Sequence, residues 1–351
     1  MKCDGFPVLK SAGRMVLALL VGIGVWGLVA CGSSSNGNGN GEPGTFVFTS
    51  DNMVDAAESG VSAFTTFEAV SQFVALMVEL AGPGQSLEAV SQDLRLTPME
   101  VTDLPICLDG AATFTSSDFL APNTQATLSF ERCKIDPDPE YFILDGDVVL
   151  SVSLFNAETG PEEPFLEASL TIDVDFDEVL DGQRELGNFS TRNLPLRAFR
   201  GPFSIAFEYG LRQEVLFTAR QTAPSASRVD FGCFEVRIEF VLADGDLKVS
   251  RMSGNAGVVV NNRAFGVQGG PGTAGGLVFE QGVPRAGELR YRSELPRTCR
   301  AIGAGGGITP RPSAMKLFPG EQAPQMVLEM YPNGFNQPKT VMEQFSWFDI
   351  D

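Results

Sequence analysis

Residues Leu166 to Asp177 read LEASLTIDVDFD, and this stretch decides the fold. Apolar side chains occupy every second position, and polar or acidic side chains occupy the positions between them. Because side chains alternate between the two faces of a β-strand, the pattern predicts a strand of about 40 Å with one dry face and one wet face. Ile172 and Val174 belong to the dry face, whereas Asp173 and Asp175 belong to the wet one.

The same alternation recurs along the chain, in Val148–Leu154, Phe203–Tyr209 and Phe234–Leu242. Asp244-Gly245 then precedes another apolar stretch, which is typical of a two-residue hairpin. Strands with one wet face, joined by short turns, are typical of antiparallel sheets. We therefore predict an α+β fold, mainly antiparallel β, in which a short N-terminal helical segment packs on a large antiparallel sheet that forms a sandwich or a partial barrel.

The part of the chain that precedes these strands has a helical pattern. Thr65-x-x-Glu68 has the form of a capping box, and Gly82 is a typical helix stop. Asp51–Ser59 and Leu87–Leu94 are predicted as shorter helices. Between the box and the stop, apolar residues at helical spacing predict one face that is buried in the core: Val70, Phe73, Val74, Met77, Leu80 and Ala81.

The N-terminus carries a leader. Three basic residues precede an apolar run of 16 residues, Met15 to Ala30, which is shorter than the roughly 20 residues of a membrane-spanning helix. The run ends in Leu28-Val29-Ala30-Cys31, which resembles the lipobox of bacterial lipoproteins. The resemblance implies that Cys31 is lipidated and becomes the mature N-terminus, and that Gly32 after it directs sorting to the outer membrane, facing the periplasm or the cell surface. An uncleaved N-terminal anchor is the alternative.

These features divide the chain into four parts. We expect a signal peptide in residues 1–30, the lipidated cysteine with a Gly/Ser/Asn tether in 31–44, a helical segment in 45–105 and a β-rich body in 106–351. An organisation of the body as two sub-units, about 106–225 and 226–351, stays open.

Charge and composition exclude several functions. The formal net charge is −19, and the leader contains three basic residues but one acidic residue, so the remainder is more acidic by two charges. Such a surface repels nucleic acid and anionic headgroups, so we expect no nucleic-acid partner and membrane attachment through the lipid alone. The chain has no histidine, which excludes Ser-His-Asp and Cys-His catalysis and histidine metal sites.

Four cysteines remain once Cys3 leaves with the leader and Cys31 carries lipid. An even number is typical of disulfides in an oxidising compartment, and the absence of CxxC spacing argues against zinc. Three pairings are open, and free buried thiols are the alternative. We favour the sequential pairing, Cys107–Cys133 and Cys233–Cys299.

Two regions of the body share a pattern of short motifs. The first contains Ile106–Gly110, Leu128–Cys133 and Leu144–Val148, and the second contains Gly232–Phe234 and Pro284–Arg290. The pattern resembles proteobacterial envelope lipoproteins that repeat a cysteine-to-cysteine β-unit. The likeness covers about residues 105–155 and 230–351, leaves Cys299 outside the repeat, and implies no activity.

Two motifs invite a chemical interpretation. Ser313-Ala314-Met315-Lys316 matches the SxxK motif of penicillin-recognising serine enzymes, but that motif must begin a helix and prolines crowd this one. Asp173, Asp175 and Asp177 could bind calcium through oxygen ligands, but a solvated strand face is the simpler interpretation.

The sequence therefore predicts no catalytic residue, no cofactor and no metal site. We expect a binding or structural role in the cell envelope, with a partner protein on the wet face of the sheet or an apolar ligand in its concavity. A carboxylate-based hydrolase is the alternative, because a chain with 44 acidic residues always contains some carboxylate pair.

Overall fold

The computed structural model describes residues 44–81, 102–103, 107–116, 123–135, 141–156, 159–180, 183–201, 204–210, 216–223, 228–243, 246–260, 263–269, 276–293, 313–335, 338–339 and 341–347. These residues form one helix, α1 (Met53–Ala81), and one sheet of seventeen strands. The strands are β1 (Gly44–Thr45), β2 (Thr102–Asp103), β3 (Asp109–Ser116), β4 (Thr124–Lys134), β5 (Tyr141–Phe155), β6 (Leu166–Leu180), β7 (Gln183–Arg200), β8 (Ser204–Tyr209), β9 (Leu216–Ala223), β10 (Arg228–Ala243), β11 (Asp246–Val260), β12 (Arg263–Gly269), β13 (Gly276–Glu280), β14 (Val283–Arg292), β15 (Ala314–Pro319), β16 (Gln325–Tyr331) and β17 (Val341–Ser346).

Neighbouring strands from β2 to β17 are antiparallel, as predicted. β8 and β9 both lie between β7 and β10, and β12 and β13 both lie between β11 and β14. β10 and β11 form the predicted hairpin, in which Ala243 pairs with Asp246. In the part of the chain that the structure describes, β2 and β17 are the edges of one continuous sheet rather than members of two stacked sheets.

The decisive strand behaves as its pattern predicts. β6 contains the whole Leu166–Asp177 stretch, and Ile172 and Val174 are 6% and 5% exposed. Asp173 and Asp175 point to solvent. The dry face of the sheet is therefore the face that carries the core.

Helix α1 differs from the prediction. It is continuous from Met53, so Thr65 lies in its middle and cannot cap it. The carbonyl of Asn52 accepts the first helical hydrogen bond, from the backbone N–H of Ala56 at 3.1 Å. Five consecutive residues, Ala63 to Phe67, are all buried. Because successive helical residues are about 100° apart, these five span the whole circumference, and α1 is enclosed rather than packed on one side. The structure describes α1 as far as Ala81, and the expected stop at Gly82 and the expected helix Leu87–Leu94 lie outside the described residues.

The sheet curves around this helix. Ser71 contacts Tyr209 of β8, with 2.8 Å between their hydroxyl oxygens, and Phe73 contacts Phe130 of β4, with 6.3 Å between ring centroids. Two residues along an α-helix differ by about 200°, so these two contacts lie on opposite sides of α1. A sheet that reaches both sides of one helix must bend around it.

The segment that leads into the helix is fixed to the sheet. β1 pairs with Arg263 and Ala264 of β12 in parallel, in contrast to the antiparallel meander. The rings of Phe46, Phe48 and Phe265 then form a cluster with centroids 5.1 to 5.7 Å apart. Within the described residues, no helix has both the length and the apolar character needed to cross a membrane.

Candidate functional site

One of the two predicted disulfides is present. Cys107 and Cys133 are bonded, with 2.08 Å between the sulfur atoms, and join the start of β3 to the end of β4. Cys233 lies in β10, but its side chain is outside the described part of the structure, as are Cys31 and Cys299. The pairing of Cys233 with Cys299 and the lipidation of Cys31 remain predictions.

The aspartates of β6 find hydrogen-bond donors from the protein. Nδ2 of Asn188 donates to Oδ1 of Asp173 at 3.2 Å and to Oδ1 of Asp175 at 2.9 Å. Arg184 forms a two-pronged ion pair with Asp177, at 2.9 and 2.7 Å. Among the described residues, no group of three or more acidic or cysteine side chains is arranged to bind a metal ion.

The SxxK residues, Ser313 to Lys316, stabilise the fold and do not form a catalytic site. Ser313 is 3% exposed and its hydroxyl oxygen accepts a hydrogen bond from the backbone N–H of Phe48 at 3.0 Å. The following residues form strand β15 rather than the start of a helix. Ser313 therefore connects the segment ahead of α1 to the sheet.

Helix α1 fills the concavity in which we expected an apolar ligand. Tyr291 of β14 donates from its hydroxyl to the carbonyl of Ala57 at 3.0 Å, and Phe67 lies 4.6 Å from Phe234 of β10, measured between ring centroids. The dry face is thus occupied by the protein itself. A ligand on the dry face must therefore bind where α1 leaves space beside the sheet.

Such a space lies between α1, β11, the β13–β14 turn and the C-terminal end of the described chain. It is a cavity of about 500 Å³, within the size range of small-molecule sites. Its walls combine apolar and polar side chains: Glu68, Leu247, Lys248, Val249, Phe279, Gln281, Gly282 and Trp347. We call it the Trp347 cavity.

Trp347 gives the cavity its specific chemistry. The residue is 1% exposed, and its ring meets Phe279 edge to face, with centroids 5.6 Å apart. Its backbone N–H donates to the carbonyl of Pro324 at 2.8 Å. In the described part of the structure the indole Nε1 is buried without a hydrogen-bond partner. Because solvent does not reach this atom, Trp347 contributes the surface of its ring to the cavity rather than a hydrogen-bond donor.

A wider groove lies on the wet face of β4 to β7. Its volume is about 710 Å³, and uncharged polar side chains such as Gln125, Ser151, Ser169 and Asn193 dominate its walls. Nε2 of Gln125 donates to the hydroxyl of Ser151 at 3.0 Å across the two strands. The groove lacks an aromatic ring on which a ligand could stack, so it is a weaker candidate for a ligand site than the Trp347 cavity.

A basic and aromatic cluster lies on the outer face of β14 to β16. We call Arg290, Arg292, Lys316, Tyr331 and Phe335 the Phe335 cluster. All three cations lie within 5.4 to 5.7 Å of the Phe335 ring centroid.

A carboxylate borders this cluster. Glu329 accepts hydrogen bonds from Lys339 and, at 2.6 Å, from the Tyr331 hydroxyl. Burial alone would raise the pKa of Glu329, but these hydrogen bonds and the charges of Lys339 and Lys316 bring the pKa below its ordinary value. Burial, together with the bond to Glu329, raises the pKa of Tyr331 to about 12.

A pair of carboxylates on α1 bears on the hydrolase alternative. Burial raises the pKa of Glu58 to about 7, and the charge of Asp55, one turn earlier, adds to the effect. Burial raises the pKa of Asp55 as well. Neither residue lines the Trp347 cavity. Both carboxylates have a raised pKa, as catalytic acid–base groups often do, but neither lies in the wall of the Trp347 cavity.

Sequence reasoning missed the Trp347 cavity because its walls come from four distant segments of the chain and no local motif unites them. Comparison with protein-family models, with curated proteins and with solved structures finds no match to this chain. The function must therefore be argued from the residues themselves.

Proposed function

We propose that this protein is a lipid-anchored binding protein of the cell envelope, attached through Cys31, whose body takes a small amphipathic ligand in the Trp347 cavity. The observation that carries the proposal is a space of about 500 Å³ beside α1, large enough for a small molecule, whose wall includes the edge-to-face rings of Trp347 and Phe279. An amphipathic ligand fits because Phe279 and Val249 supply apolar surface while Lys248 and Glu68 supply polar groups at the same cavity.

Two further features support the cellular setting. The lipobox-like Leu28–Cys31 is followed by a Gly/Ser/Asn stretch that reaches to the first described strand. The Cys107–Cys133 disulfide is typical of an oxidising compartment outside the cytoplasm. A catalytic role has less support, because the carboxylates with raised pKa values are not in the cavity.

Anchoring is tested by Cys31→Ser. We expect this variant to lose metabolic labelling with fatty acid and to move from the membrane fraction to the soluble fraction. Cys3→Ser, in the leader, is the matched control and should stay membrane-bound. Unchanged membrane retention of Cys31→Ser would mean that the leader is the anchor.

Ligand binding is tested with 1-anilinonaphthalene-8-sulfonate as the probe. The chain has two tryptophans, and Trp26 lies in the leader, so the tryptophan fluorescence of the processed protein, excited at 295 nm, comes from Trp347 alone. We expect saturable binding of one dye molecule, with quenching of Trp347. Val249→Phe, which narrows the cavity, should weaken binding at least tenfold, whereas Val47→Phe at an exposed site should not.

Equal dye binding by both variants would contradict the proposal. A melting temperature measured for each variant shows whether Val249→Phe is folded. Trp347→Phe replaces the indole with a smaller ring and so removes part of the cavity wall, which provides a second test in which dye emission is excited directly. Weaker binding by that variant is the expected result, and unchanged binding would exclude a role for the indole ring.

A further inference from the structure

The Phe335 cluster arises from the register of three strands. Arg290 of β14 pairs with Lys316 of β15, and Lys316 pairs with Glu329 of β16. Arg292 follows Arg290 on the same face of β14, since side chains two apart on a strand point the same way. The turn after β16 then brings the Phe335 ring to all three cations.

The aromatic rings form a platform between these cations. Phe335 meets Tyr331 edge to face, with centroids 5.3 Å apart, and Lys316 lies 5.7 Å from the Tyr331 centroid as well. Because three cations share one ring centroid at about 5.5 Å, any two of them are at most about 11 Å apart. Cations at these distances repel one another unless an anion lies among them.

Among the described residues, the carboxylates near this cluster do not balance its charge. Glu288 contacts Arg290 and lies 3.7 Å from Lys316, so one carboxylate serves two cations. Glu329 is already hydrogen-bonded to Lys339 and Tyr331. Arg292 is exposed and contributes its charge to the face of Phe335. With Lys339 included, four cations meet two carboxylates among the residues that the structure describes.

This surplus contrasts with the rest of the molecule. The chain carries 44 acidic and 25 basic residues, so carboxylates are abundant and a structural need for neutralisation could have been met by another acidic residue. Instead, the sequence from 283 to 317 contains seven Lys or Arg residues and two Glu. Basic residues are thus concentrated in one region of an otherwise acidic protein.

We propose that the Phe335 cluster binds a phosphate group, with Arg290, Arg292 and Lys316 as its donors and the Phe335 ring as the surface beneath it. Several oxygen atoms pointing in different directions suit cations that approach from different strands, whereas a carboxylate offers two oxygens in one plane. Guanidinium groups pair well with phosphate through their forked donors. This inference is independent of the proposed function and uses a different face of the sheet from the Trp347 cavity.

Binding in solution is tested with inorganic pyrophosphate by isothermal titration calorimetry, using the Cys31→Ser protein at low ionic strength. We expect one saturable site that weakens as salt is added. Arg292→Gln and Lys316→Met should each reduce affinity at least tenfold. Arg184→Gln is the matched control, because this exposed arginine pairs with Asp177 on β6, away from the cluster. Equal affinity of Arg292→Gln and Arg184→Gln, or the absence of binding by the unsubstituted protein, would overturn the proposal.

A second measurement distinguishes a phosphate on a lipid headgroup from a phosphate on a soluble molecule. Vesicles of phosphatidylcholine with 20% phosphatidylglycerol are sedimented with the Cys31→Ser protein, with and without pyrophosphate. Binding that pyrophosphate displaces and Arg292→Gln abolishes would identify a lipid headgroup as the phosphate. Binding of pyrophosphate in solution without binding to vesicles would identify a soluble phosphorylated molecule. If Phe335 and its cations only stabilise the turn, the variants will lower the melting temperature without changing either binding measurement.

Discussion

Gly60 of α1 lies directly against the ring of Tyr291 in β14. A Cβ atom on Gly60 would be 2.1 Å from Cε1 of Tyr291. The ring cannot move aside, because Tyr291 is fully buried and its hydroxyl is bonded to the carbonyl of Ala57. A glycine in the middle of a helix, which by itself lowers helix stability, is thus required by the approach of the sheet.

We expect Gly60→Ala to destabilise the protein. Alanine favours the helix over glycine by about 1 kcal/mol, but overpacking against a fixed ring costs about 3 kcal/mol, so the free energy of unfolding should fall by about 2 kcal/mol. Urea unfolding measures this. Gly160→Ala, with no atom within 4 Å of the added Cβ, is the control and should change stability by no more than about 0.5 kcal/mol. A stabilised Gly60→Ala would show that the helix is free to shift.

A second prediction concerns Ser71 and Tyr209. The Ser71 hydroxyl donates to the carbonyl of Phe67 at 2.7 Å, so the tyrosine is the donor in their 2.8 Å contact. Burial raises the pKa of Tyr209, which therefore stays protonated and able to donate. Tyr209→Phe should cost about 1 kcal/mol, whereas Ser71→Ala leaves a buried hydroxyl unpaired and should cost about 2 to 3 kcal/mol.

A double-mutant cycle on these two residues checks the argument. The double variant should be about as stable as Ser71→Ala or more stable, because removing the tyrosine hydroxyl removes the unpaired group. Strictly additive losses would mean that the two hydroxyls do not interact in solution.

A third prediction uses the acidic ladder on the wet face. Asp147 is directly opposite Asp173, and Asp145 is directly opposite Asp175. Like charges at paired positions of a sheet are destabilising. Asp147→Asn should therefore raise the free energy of unfolding by about 0.5 kcal/mol at low salt, and the gain should shrink in 1 M salt. Glu162→Gln, at an exposed turn, should have no such effect. A destabilised Asp147→Asn protein would indicate a bound cation.

A fourth prediction follows from Glu58. Its pKa in the folded protein is about 7, against an ordinary value of 4.5. Between these pH values the folded protein retains a proton that the unfolded chain releases, so stability should decrease as the pH rises through this window. Glu58→Gln removes the effect, and because Glu58 is partly solvated it should be more stable than the unsubstituted protein by about 1 to 2 kcal/mol at pH 8.

The measurement is the melting temperature from pH 4 to pH 8. Glu58→Gln should match the unsubstituted protein near pH 4 and exceed it at pH 8. Glu163→Gln, which replaces an exposed glutamate, provides the reference slope. Parallel curves for all three proteins would place Glu58 in contact with water.

The sequence predicted which residues of the strands are buried, but it did not predict where the helix begins. In β6, the alternation of Ile172 and Asp173 reports directly on burial because one face of the sheet is wet. In α1, Thr65 is buried among apolar neighbours. A helix that is enclosed on all sides has no polar stripe to mark its register, so a capping box was assigned in its interior. The core-facing positions Val70 and Phe73 were nevertheless identified, since both are buried.

The candidate sites divide in the same way. The pairing of Cys107 with Cys133, which the sequence leaves as the favoured one of three, is present in the structure. Trp347 and Val249 line the same cavity although they are far apart in sequence, and no local pattern encodes this arrangement. The Phe335 cluster depends on the register between β14 and β15, where Arg290 pairs with Lys316, and a shift by one residue would place these side chains on opposite faces.

The parallel pairing of β1 with β12 also determines how the body responds to mechanical load. A pull on the chain ahead of Gly44, directed along β1, acts in shear on the backbone bonds to β12, including the one from the N–H of Phe46 to the carbonyl of Ala264 at 3.1 Å. Bonds loaded in shear must break together, whereas bonds of a peeled hairpin break one after another. The ring cluster of Phe46 and Phe48 and the bond from Phe48 to Ser313 carry the load next. Helix α1 is thereby shielded, and the body can stay folded while the chain ahead of it is stretched.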